Sequence, residues 1–124
     1  MKFLKRLVLA STTNINWKNQ FKKAKEISLA LKNVNPLTMS DVVKSTRKFL
    51  TKILDSMVEF CNKSIKFYEE HEEFDTGNHI EKNKQNIKDF TELKNKVEAM
   101  DIRNLETAMF KVLRFIEDRN LHIK

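Results

Sequence analysis

At 124 residues, 40% hydrophobic and 33% charged, the chain suits one globular domain spanning residues 1–124 and excludes a disordered tail. One Gly and one Pro leave almost no turn chemistry, which excludes sandwiches, barrels and Gly-rich phosphate loops. The net charge of +7 is one-ended: residues 1–25 hold Lys2, Lys5, Arg6, Lys18, Lys22, Lys23 and Lys25 and no acid, while the other 17 Lys and Arg match all 17 acids. Charge gathered at one end points to an anionic partner or to a targeting role. The single Cys61 forms no internal disulfide and fits a reducing compartment. The expected location is the cytoplasm, with the mitochondrion as the alternative.

In residues 1–10, Phe3, Leu4, Leu7 and Val8 oppose Lys2, Lys5 and Arg6. Lys5 and Arg6 break the apolar core that a secretory signal needs. The segment reads as a short extra helix docked on the bundle. A mitochondrial presequence and a membrane-surface helix are the alternatives. No apolar run approaches the ~20 residues of a membrane span. Residues 11–16 are weak helix formers and strong cap formers, so a break is expected there. From about Ile15 to Lys32, Trp17, Phe21, Ala24, Ile27 and Leu31 recur at helical spacing, with Lys18, Lys22 and Lys25 as a basic ridge beside them. Trp17 and Phe21 read as core anchors. Residues 33–37 form the first turn.

Residues 38–74 read as one helix of about 54 Å, at 1.5 Å per residue, and the rest of the chain must fold back along it. Val42, Phe49, Ile53, Met57, Phe60, Ser64 and Tyr68 follow steps of mostly three and four, and Val43, Leu50, Leu54, Cys61 and Ile65 widen the stripe. Thr38 with Asp41 resembles a capping box at its start. The acids of residues 69–75 oppose the helix dipole at its end, where fraying is expected, and Gly77 is placed as the left-handed stop. Asn78 with Glu81 is a second cap pair.

The helix that follows, about His79 to Met100, has a thin apolar seam of Ile80, Ile87, Phe90, Leu93, Val97 and Met100, close to a coiled-coil repeat. Glu92 and Lys96 are placed as an i,i+4 ion pair. Residues 101–104 kink or restart the helix, and the last helix carries Leu105, Ala108, Met109, Val112, Leu113 and Ile116 to about Asn120. The fold class is therefore all-α: an antiparallel bundle of about four long helices built around residues 38–74.

No catalytic pattern emerges. Thiolate zinc sites need several Cys, and the chain has one. A di-iron bundle needs Glu-x-x-His pairs, whereas Tyr68, Thr76 and Arg119 precede the three His at that spacing. His71, Asp75 and His79 gather around Gly77, and they read as ordinary polar residues. We expect no enzyme, no metal and no cofactor. The primary expectation is a subunit, adaptor or inhibitor that binds another protein or itself, with Ile87, Leu93 and Val97 left partly exposed for the partner. The alternatives are nucleic acid and an anionic membrane surface, held by Lys2, Lys5, Arg6, Lys18, Lys22, Lys23 and Lys25. Arg is absent from the Lys ridge, which argues against base-specific readout.

Overall fold

A computed structural model describes residues 16–123, which form four α-helices with no strand among them. They are α1 (Trp17–Lys32), α2 (Met39–Glu70), α3 (His79–Lys96) and α4 (Ile102–Ile123). Single-turn 3-10 helices at Glu72–Phe74 and Val97–Ala99 complete the connections. The amphipathic segment of residues 1–10, with Leu4, Leu7, Lys2, Lys5 and Arg6, lies outside the described residues, as does most of the break expected before α1.

The long helix buries most of the stripe that its spacing predicts, Phe49, Leu50, Ile53, Leu54, Met57, Phe60, Cys61 and Tyr68, while Val42, Val43 and Ile65 stay half-buried at its edges. Two hydroxyls share that face without leaving a donor unpaired. Thr46 Oγ1 donates to the Val42 carbonyl at 2.7 Å and Ser64 Oγ to the Phe60 carbonyl at 2.8 Å. Around this rod the helices alternate in direction. α3 runs back along α2, with Asp55 accepting from Lys94 at 2.6 Å near the middle and Tyr68 stacked on His79 at the far end. α1 lies chiefly against α4 and more lightly against α2. One aromatic layer ties all four helices together. Trp17 and Phe60 meet edge-on at 5.4 Å, and Phe115 sits 5.9 Å from Trp17, 6.1 Å from Phe60 and 5.1 Å from Phe90. Edge-to-face rings of this kind add to area burial.

The helix ends depart from the expected chemistry in ways that local hydrogen bonds explain. Thr38 is in the αR region and makes no side-chain cap bond. Instead, Asn35 Oδ1 accepts from the Leu37 and Thr38 amides at 3.0 and 3.2 Å, an Asx turn that launches the chain past Pro36. α2 stops at Glu70, four residues short of the expected end, and His71 leaves helical geometry at φ −133°. The acids that follow oppose the dipole, while Phe74 folds back to stack 6.0 Å from Phe67. Gly77 does not take the left-handed position; Asn78 does, at φ 56°. Asn is among the few residues that tolerate that region. Asn78 accordingly makes no cap bond, and Asp75 Oδ1 caps α3 by accepting from the His79 amide at 2.6 Å. The chain does restart after Met100: Asp101 Oδ1 accepts from the Asn104 amide at 2.9 Å and opens α4. α4 runs to Ile123, past the expected end at Asn120.

The backbone at Gly77 carries a test. It has no positive φ to protect, and a Cβ added there would meet only His79 ring atoms, at 3.5 and 3.7 Å, so Gly77→Ala fits without strain. The substitution is expected to raise stability by about 0.4–1 kcal/mol through the unfolded chain. A fall in melting temperature would show that the turn needs glycine after all.

Candidate functional site

One concavity among the described residues arises because the helices pair two and two. α3 is committed to α2 and α4 to α1, so α3 and α4 make little direct contact with each other. Phe90 and Phe115 wedge the two helices at one end. Toward the Met100 turn, the small side chains of Ala99 and Ala108 do not fill the gap. The result is a cleft in two connected parts, of about 540 and 460 Å³, both bounded by Leu93, Lys96 and Lys111. Phe90, Leu93, Met100 and Phe115 supply apolar surface. Asp89, Glu92, Lys96, Lys111 and Arg114 supply the charge. On α4, one turn from Arg114, Phe110 is 59% exposed, with the guanidinium 5.7 Å from its ring centre.

The three residues expected at a protein interface part company here. Leu93 is half-buried and lines both parts of the cleft. Ile87 is half-buried and packs on the core. Val97 is 1% exposed and belongs to the core itself, so it is closed to a partner. Val97 lies seven residues from buried Phe90, itself seven from buried Asn83, so it continues the line that packs against α2, and Leu93 sits to one side of it. Glu92 and Lys96 do not close the expected ion pair, and Lys94 reaches across to Asp55 instead.

Of the expected anion-binding residues, Lys2, Lys5 and Arg6 lie outside the described residues. Lys18, Lys22 and Lys25 are exposed on α1, with Lys25 Nζ 5.6 Å from the Phe21 ring centre. Lys23 leaves that ridge and sits 5.7 Å from the ring centre of Phe49 on α2. The four therefore do not form one surface.

The residues around Gly77 serve the turn. His71 stacks 4.7 Å from Phe67 and contacts Glu73 at 3.7 Å, and the His79 ring lies on Tyr68 at 4.6 Å. Among the described residues no three His, Cys, Asp or Glu side chains are grouped to hold a metal. No described helix is long and apolar enough to cross a membrane.

A second concavity is marked by no sequence motif. Ser40, Lys44, Arg47, Lys48, Thr51 and Lys52 of α2, with Val43 and with Glu98 from the 3-10 turn, bound a groove of about 650 Å³. The Arg47 guanidinium is tethered by one bond, Nη2 donating to the Met100 carbonyl at 3.0 Å, and its buried Nε has no partner. Helical spacing of the cations is the one signal that could have found it: Lys44, Lys48 and Lys52 are each one turn apart.

Among the described residues, fold and cleft together define an all-α four-helix bundle with an open edge between α3 and α4. Comparison with protein-family models, curated proteins and solved structures finds no match to the chain.

Proposed function

We propose that this chain is a non-catalytic interaction protein that receives an amphipathic helix of a protein partner in the α3–α4 cleft. The observation that carries the reading is the sparse α3–α4 contact beyond Phe90 and Phe115, which leaves Leu93 facing an open cleft. Residues 89–100 run about 16 Å along the cleft, enough for three turns of a docked helix. Grooves of this kind read apolar anchors spaced three and four apart. Lys111 and Arg114 on the α4 wall, joined by Lys96, favour a partner with acids on the side facing α4. The buried, unoxidised Cys61 fits a reducing compartment such as the cytoplasm.

Leu93→Asp is the test. The side chain is half-buried at the cleft, so an aspartate there can reach water while spoiling the apolar floor. The variant is expected to stay folded by circular dichroism and to lose its partner in affinity capture from the native source, read with nuclease present. If association is with a second copy, sedimentation shows it as a concentration-dependent dimer that Leu93→Asp abolishes. Identical capture and sedimentation profiles for the two proteins would remove the proposal.

A further inference from the structure

The groove on α2 is distinct from the cleft, and it is strongly basic. Between Asp41 and Asp55 the helix carries Lys44, Arg47, Lys48 and Lys52 and no acid. None of these four cations has a carboxylate within 4.0 Å; the ion pairs among described residues join other side chains. Glu98 lines the same groove and Asp41 lines the neighbouring one between α1 and α2, yet neither closes onto these cations. Four positive groups and one carboxylate thus share a concavity of about 650 Å³, an excess of positive charge with no ion pair closed among them. The Arg47 guanidinium, held by Nη2 on the Met100 carbonyl, adds a fixed positive charge to the row.

We infer that this groove binds the phosphate backbone of double-stranded nucleic acid. The arrangement favours a chain of phosphates over one. Lys44, Lys48 and Lys52 are strung along roughly 12 Å of helix, each about 6 Å from the next, instead of converging on a point. Over that length a duplex presents about seven phosphate charges, at one per ~1.7 Å of axis. Ser40 adds a hydroxyl beside the row, whereas that of Thr51 donates to the Arg47 carbonyl at 3.0 Å. The chemistry also sets the kind of recognition. No aromatic side chain lines the groove, so stacking on unpaired bases is not offered. Arg47 is tied back to Met100 and cannot present a free fork to a guanine edge. Binding is therefore to backbone, sequence-independent and strongly salt-dependent.

The test uses the full chain with a fluorescent 30-base-pair DNA duplex, titrated at several salt concentrations from 50 to 200 mM. Log affinity is expected to fall linearly with log salt. Lys44→Gln, Lys48→Gln and Lys52→Gln together should flatten the slope by up to about 2.7 units, so that up to a ~40-fold part of the fall across this range disappears. Their melting temperature should hardly change, since all three side chains are exposed. Inorganic polyphosphate should displace the duplex, because phosphates are the only contacts. The inference is overturned by absence of binding at 50 mM salt, or by a triple variant with the wild-type slope. It also fails if the Lys18→Gln, Lys22→Gln, Lys25→Gln protein loses as much, since the site would then lie on α1, or if polyphosphate does not compete.

Discussion

Replacing Trp17 by Ala is expected to cost about 3–5 kcal/mol, the range for deleting a buried aromatic from a core. A domain of this size holds about 5–15 kcal/mol in all, so the variant should melt far earlier or not fold at 37 °C. Trp17 is 1% exposed and meets Phe60 of α2 and Phe115 of α4, so its loss opens a cavity where three helices converge. One effect works the other way. Its buried Nε1 has no hydrogen-bond partner, which already costs on the order of 1–3 kcal/mol. Trp17→Phe discards that donor and keeps most of the ring surface, so its loss should be clearly smaller than that of Trp17→Ala. Urea melts of both proteins decide the matter. Equal losses would mean that the ring contacts contribute little.

Val97→Asp should be nearly as damaging, at about 3–5 kcal/mol for a buried charge without a partner. Val97 is sealed under α2, where an aspartate must either ionise in an apolar site or stay protonated. Leu93, four residues earlier and one turn away, opens on the cleft. The same change there should leave the bundle folded. The pair separates core from interface in one experiment: circular dichroism and a urea melt on each. A folded Val97→Asp protein beside an unfolded Leu93→Asp protein would reverse the two assignments.

Those two residues mark where reading the chain residue by residue stops. Ile87, Leu93 and Val97 share a seam by spacing, and spacing alone treats them alike. Packing against α2 separates them, because it seals the line of Asn83, Phe90 and Val97 and leaves Ile87 and Leu93 at its edges. Spacing overlooks Phe115 for a related reason: it is only half-buried, on the flank of the α4 stripe, yet it touches Trp17, Phe60 and Phe90. The caps differ from expectation because several polar side chains compete at each turn. Asn35 accepts from the Leu37 and Thr38 amides and Asp75 from the His79 amide, while the side chains of Thr38 and Asn78 make no cap bond.

Charge shows the same division. Counted along the chain, the 17 acids beyond residue 25 cancel the 17 cations there, and the basic character falls on the first fifth. In space the cancellation is incomplete. Five acids crowd residues 69–75 at one end of α2, while Lys44, Arg47, Lys48 and Lys52 cluster nearer the other. Over a salt-screened range of about 8–10 Å the two groups do not neutralise each other.

The amino-acid sequence by itself determined the helices, the long rod at their centre and the face that Phe49, Ile53, Met57, Phe60 and Cys61 bury. Those follow from a 3.6-residue period and from the scarcity of turn residues, both of which are local properties. Only the tertiary structure decided that α3 pairs with α2 and α4 with α1, which edge stays open, and which cations meet in a groove. Periodicity tells a helix which side to bury but not against which neighbour, and both surfaces proposed for binding are made by that choice of neighbours.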